Sequence, residues 1–319
     1  MMTDFLLMDY LSKLNDNTVK ERLMHAKGIG VYGTFRPYMS MKDYTKADFL
    51  KDAETVTPVF VRFSKQSGRR GSPDTERSVK GFSTKFFTKE GHYDLICSNM
   101  PMFFINEAKK MPQFIKAFAP RQDTDLTDNE SIWRFLAENP EAANIITWLY
   151  SDRGTTKSYR HIEGYSVNTY QWVNADGDVH FVRYRWIPTG GVKEISRNEA
   201  EFLAGFDPDI ASKDLYESIE DGQYPEYELA VQLVSEGHRD YYDFDLFDCA
   251  IEWPEKEIPY VVTGKMILNK IPKDFYEEVE KSSFSPSGLV SGITFSEDRL
   301  LEVISFVCNI EARSRGAWG

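Results

Sequence analysis

The side chains of this 319-residue sequence with most capacity for chemistry are few: five histidines, three cysteines and several arginines beside apolar stretches. The histidines (His25, His92, His161, His180 and His238) include no H-E-x-x-H pair, so a histidine-bound zinc site is not expected. Cys97, Cys249 and Cys308 are too widely spaced for a C-x-x-C site or a disulfide framework, which points to a reducing, cytoplasmic setting. The sequence contains no G-x-S-x-G nucleophile elbow, and the glycines around Gly28-Gly30 and Gly68-Gly71 match no phosphate loop. His25 lies in R-L-M-H-A-K-G-I-G-V-Y-G-T-F, bracketed by cations and followed by three glycines. Alone it reads as a turn histidine satisfied by backbone. Arg62 and Ser64 share a strand face turned inward, where an arginine calls for a carboxylate partner. Cys308 alone reads as a core thiol, and Arg313 and Arg315 as a solvated tail.

Strands and helices must position these groups. T-P-V-F-V-R-F-S (57–64) alternates, with Val59, Val61 and Phe63 on one face and Phe60, Arg62 and Ser64 on the other. Residues 81–88 read as a strand ending in a turn at Lys89-Glu90-Gly91. Residues 170–173 and 179–186 flank Asn174-Ala175-Asp176-Gly177, a hairpin signal, and 260–268 is a further strand. Helical patterns cover 108–118, 130–150 with a break at Pro140, 198–203 and 211–221. A last helix is expected from Ser296 as N-cap, with Leu300, Leu301, Ile304, Val307 and Cys308 on its buried face. Hairpins outnumber βαβ units, which favours an antiparallel α+β architecture.

Composition sets the outer bounds. Thirty-eight Lys+Arg against 50 Asp+Glu give a net charge of −12, which argues against binding nucleic acid or anionic lipid. No apolar run approaches the roughly 18 residues of a membrane span, and the acidic start M-M-T-D-F-L-L-M-D-Y is a poor secretory signal. A hydrophobic share of 41%, with 14% aromatic residues, supports one large core.

Read together, the segments resemble the haem catalase family. Arg22 to Phe35 is similar to that family's distal-histidine motif, and V-R-F-S with G-S-P-D-T-E-R-S-V-K-G-F-S-T-K-F-F-T resembles its barrel core. N-M-P-M-F-F-I (99–105), W-L-Y-S-D-R-G with Y-R-H-I-E-G-Y-S-V-N-T-Y, and S-F-S-P-S-G-L-V-S-G-I complete the resemblance in order. It implies a catalase-like fold, an eight-stranded antiparallel β-barrel with surrounding helices, spanning 1–319 as one domain. The barrel core would cover roughly 20–270 and the proximal helix roughly 296–310. Haem b (iron protoporphyrin IX) would sit in a deep pocket. His25 would move the peroxide proton, Ser64 would orient its imidazole, and Arg22, Arg62 and Arg315 would hold the haem propionates. Phe103 matches an aromatic beside the distal pocket.

The departures are chemically pointed. Family members ligate iron through a tyrosinate; here Cys308 stands at that position and Ile304 replaces the arginine that would support a phenolate. No tyrosine follows Tyr276, so Cys308 is the axial donor the resemblance leaves. A thiol ionises on iron with less help than a phenol and favours O–O cleavage. Ser98 replaces the catalytic asparagine while Asn99 matches its neighbour, and Met111 replaces a distal aromatic. Three readings follow: a haem peroxidase acting on hydrogen peroxide or organic peroxides with weak catalase turnover; a haem-thiolate peroxygenase, monooxygenase or hydroperoxide-rearranging enzyme; and a non-enzymatic haem-binding or sensing protein. A homodimer is a fold-level expectation, and a small organic molecule is a candidate second substrate.

Overall fold

The computed structural model describes residues 22, 24–121, 123–314 and 316. The alternating stretch near Val61 forms strand β2 (Thr57–Lys65), which lies between β1 (Gly28–Pro37) and β3 (Lys80–Thr88). A tight turn leads from β3 into β4 (Gly91–Ser98). Further along come β5 (Gly164–Tyr165), β6 (Tyr170–Val173), β7 (Val179–Pro188), β8 (Glu226–Ser235), β9 (Val261–Lys270) and β10 (Ile293–Phe295). The order β7-β5-β4-β3-β2-β1-β9-β8 closes on itself because β8 pairs back along the whole of β7. The result is the eight-stranded antiparallel barrel that the sequence led us to expect, with β6 and β10 extending one end of β7. The β6–β7 hairpin forms as expected, with Asn174 Oδ1 accepting from the Asp176 and Asp178 amides at 3.0 and 2.8 Å.

An eight-stranded barrel is just wide enough for side chains to fill. Val59, Val61 and Phe63 point into it, where Phe82 and Phe86 stack on Trp186 with ring centroids 6.0 and 6.2 Å apart. Arg62 and Ser64 therefore look out of the barrel, which corrects the inward placement read from the sequence. Their face is nonetheless buried, because a π-helical turn (Phe275–Glu280) and the segment after it cover it. Phe60 stacks there on Phe284 at 6.0 Å. Strand β1 escaped the sequence reading because glycines depress the strand signal. One of them has a clear steric use: a Cβ on Gly28 would lie 2.5 Å from the Arg62 guanidinium carbon.

Seven α-helices are described: α1 (Asp48–Lys51), α2 (Met111–Phe118), α3 (Asn129–Glu138), α4 (Ala143–Tyr150), α5 (Arg197–Phe206), α6 (Ile210–Glu220) and α7 (Arg299–Ser314). Pro140 splits the 130–150 pattern into α3 and α4, as its missing N–H requires. Helix α7 starts later than expected, and its cap is Asp298 rather than Ser296. Asp298 Oδ1 accepts from the Leu300 and Leu301 amides at 2.9 and 3.2 Å, while Oδ2 accepts from Asn168 Nδ2 at 2.9 Å. Ser296 instead donates to the Thr169 carbonyl. A buried carboxylate that caps a helix and ties it to the barrel outweighs a single hydroxyl. Asp298→Ala should lower the unfolding free energy by about 2–4 kcal/mol and Ser296→Ala by about 1 kcal/mol, read by urea denaturation.

Candidate functional site

The cavity lies between the outer face of the barrel and the helices. Antiparallel register builds its floor. Ser64 pairs with Gly81, Gly81 with Ser98 and Ser98 with Tyr165, giving one row across β2, β3, β4 and β5. Arg62, Ser83 and Ile96 form the next row. All of these but Gly81 line a cavity of about 210 Å³. Its apolar wall includes Phe103, Met111, Phe114, Ile115 and Ile145. The remaining wall is α7, where Ile304, Val307, Cys308 and Glu311 lie on one face at i, i+3, i+4 and i+7. The expected apolar stripe of α7 thus divides. Leu300, Leu301 and Val303 are core, while Ile304, Val307 and Cys308 are half-buried on the cavity.

His25 enters from the segment before β1. Its backbone is left-handed, with φ 61°, a conformation that costs a non-glycine residue about 1–2 kcal/mol. Three contacts hold it. Its amide donates to the Gln66 carbonyl at 3.2 Å, its carbonyl accepts from Arg62 Nη2 at 3.0 Å, and Nδ1 lies 2.9 Å from Ser64 Oγ. Gly81 makes room beneath the ring: a Cβ there would lie 2.5 Å from Ser64 Oγ and 2.9 Å from His25 Nδ1. Burial first, then the Arg62 and Arg22 charges, push the imidazole down to about 3. The ring is therefore neutral throughout the physiological range.

The cations have structural duties that the sequence did not reveal. Arg22 Nη2 donates to the carbonyls of Val279, Glu280 and Ser282 at 3.3, 3.0 and 2.8 Å, clamping the π-helical turn. Arg62 also lies 3.9 Å from the buried Glu280 carboxylate, which takes a 2.9 Å contact from Arg70. Phe103 and Met111 line the cavity as expected. Ser98 lines it too, but its hydroxyl turns to Met100, donating to the carbonyl at 3.0 Å and accepting from the amide at 3.3 Å. Asn99 is not among the lining residues. Its Oδ1 accepts from the Lys80 amide at 2.7 Å and its Nδ2 donates to the Arg153 carbonyl at 3.0 Å, so its amide is consumed by backbone. Arg315 lies outside the described residues. Gln66, Tyr165 and Asn168 also line the cavity and were missed. For Gln66 a signal existed, because it continues the Arg62, Ser64 alternation by one step.

Apolar walls, two guanidinium groups and one soft sulfur donor on α7 fit a flat hydrophobic cofactor that carries carboxylates and a thiophilic metal. Together, the barrel and its outer-face cavity define a protein of catalase-like fold. A bacterial catalase structure superposes with a TM-score of 0.91 at 35% identity, covering 99% of this chain and 62% of that one. Catalase A from Saccharomyces cerevisiae gives 0.91 at 34% identity, covering 99% and 65%. The chain belongs to the catalase family, whose model, described as Catalase, matches residues 1–316. It is 42% identical over 306 residues to a catalase of Alkalihalophilus pseudofirmus, covering 95% of this chain and 45% of that protein. A Listeria seeligeri catalase is 41% identical over 302 residues, covering 95% and 62%. The chain thus spans about half the length of the first of these relatives.

The depressed imidazole has a consequence for stability. The unfolded chain, with its histidine near pH 6.5, binds more protons than the folded one between pH 6.5 and about 3. Stability must therefore fall as pH falls through that window. His25→Asn, which tolerates the left-handed backbone, should remove this contribution. Wild type should lose up to about 1.4 kcal/mol per pH unit relative to the variant below pH 6. Urea unfolding from pH 7 to 4 checks it, and parallel slopes would contradict a neutral, buried ring.

Proposed function

We propose that the chain binds haem b in this cavity and consumes peroxide there, and that the Cys308 sulfur would hold the iron. The observation that carries this reading is that His25, Arg22, Arg62 and Cys308, drawn from both ends of the sequence, line one cavity. Arg22 and Arg62 would pair with the propionates, and the apolar wall would hold the macrocycle. Haem, when bound, supplies the redox chemistry of O–O cleavage.

The protein's own contribution is proton handling. The neutral His25 ring can take a proton from one peroxide oxygen. Because its imidazolium is disfavoured by burial and two nearby guanidinium groups, it gives the proton up readily to the other oxygen. Ser64 fixes the ring through Nδ1, leaving Nε2 for this transfer. Ser98, with its hydroxyl engaged by Met100, supports weak disproportionation of hydrogen peroxide. A sensing role would leave the strained backbone of His25 without a use.

A second reading rests on the apolar wall. Phe103, Met111 and Ile115 suit an organic hydroperoxide, and a thiolate ligand suits its rearrangement or oxygen transfer. Buried Cys97 and Cys249, in no disulfide, fit the cytoplasmic setting. Among the described residues, no helix is long and apolar enough to cross a membrane.

The haem-loaded ferrous protein should give a strongly red-shifted Soret band with carbon monoxide, and Cys308→Ala should abolish it. An unchanged spectrum in that variant would exclude the ligand. His25→Gln should retain haem yet slow peroxide consumption by about 100-fold or more, read from the initial rate of loss of hydrogen peroxide and of a fatty hydroperoxide. If oxygen evolution from hydrogen peroxide matches turnover of the organic peroxide, the weak-disproportionation reading fails.

A further inference from the structure

We propose that Gln66 is a substrate-binding residue of this cavity, its side-chain amide orienting a small peroxide beside His25; this rests on the haem reading above. Gln66 is 8% exposed and lines the cavity. Its backbone is fully used, the carbonyl accepting from the His25 amide and the amide donating to the Val79 carbonyl at 2.9 Å. Among the described residues, its side-chain amide makes no hydrogen bond, and neither amide atom is sealed in the protein interior. A carboxamide that no protein group partners is satisfied by water or by a ligand. The open space that Gln66 borders is the cavity.

Several other polar groups on the cavity are already engaged. Ser98 is closed onto Met100, the Tyr165 hydroxyl donates to Glu163 Oε2 at 2.9 Å, and Asn168 Nδ2 donates to Asp298. Ser64 is taken by His25. The strand period explains the placement. Arg62 and Ser64 face the cavity from β2, and Gln66 is the next residue on that face, beside the histidine it holds through its carbonyl. A carboxamide both donates and accepts, and a peroxide presents both O–H donors and oxygen lone pairs. Gln66 Nε2–H can thus hold one peroxide oxygen while Oε1 receives an O–H, with His25 free to move the remaining proton.

Azide, a linear probe whose terminal nitrogen accepts a hydrogen bond, tests this without turnover. Optical titration of the ferric haem-loaded protein with sodium azide should give a dissociation constant that rises roughly 3- to 10-fold in Gln66→Met, which keeps the side-chain length without the amide. Gln66→Asn, with the amide drawn back by one methylene, should fall between the two. The Michaelis constant for hydrogen peroxide should rise in the same order. Wild-type azide affinity in either variant that folds and holds haem would overturn the proposal while leaving the haem reading intact. A wild-type protein that takes up no haem would overturn the haem reading and, with it, this proposal.

Discussion

The site depends on one hydrogen bond, between His25 Nδ1 and Ser64 Oγ at 2.9 Å. A histidine on a left-handed backbone would relax if nothing held its ring and peptide groups. The barrel supplies that hold from β2 and the residue just past its end: Ser64 takes the ring, Arg62 the carbonyl and Gln66 the amide. Gly81, across the ladder, leaves the volume in which the ring lies. Removing the hydroxyl or adding a methyl group beneath the ring would therefore disturb the same geometry from two sides. The barrel's regularity is what makes this precision affordable, since the strand period delivers three contacts to one residue.

Electrostatically, the site runs against the molecule. The chain carries a net charge of −12, yet Arg22 and Arg62 face the cavity and Lys27, Lys65 and Lys80 are buried nearby. Those lysines spend their charge on loop carbonyls and carboxylates. Lys27 reaches Ser72, Pro208 and Asp209, while Lys80 reaches Glu76 and Ser78. Burial pushes the Lys80 ammonium down to about 7. The interior thus concentrates cations within a chain that is acidic as a whole.

Much of this was legible in the sequence, and the misses have identifiable causes. The alternation of Thr57 to Ser64 placed Arg62 and Ser64 on one face correctly, but period alone cannot say whether that face is the barrel's inside or outside. Strand β1 was invisible because its glycines, among them the Gly28 that admits Arg62, weaken the strand signal. Ser296 looked like the cap of α7 from type and position; only the fold shows that Asp298 is held by Asn168 of the β5–β6 connection. Asn99 was placed at the site from the adjacency of its motif, and its amide proved to be tied to two backbone groups. The family resemblance was readable because it rests on local strings, whereas the direction in which a hydroxyl or amide points depends on contacts distant in sequence.

Arg22 meets its carbonyl acceptors across 257 to 260 residues of chain. Such separation has a kinetic meaning. Most barrel ladders join successive strands and can zip progressively, but the β1–β9 ladder, with Tyr32 opposite Lys270, the clamp on the π-helical turn and the α7 wall all require distant parts of the polypeptide to meet. Helix α7 follows the last barrel strand in sequence, so the barrel can be complete while the cavity still lacks a side. Cofactor capture would belong to the last stage of folding, when loop-closure entropy has been overcome and the final helix docks.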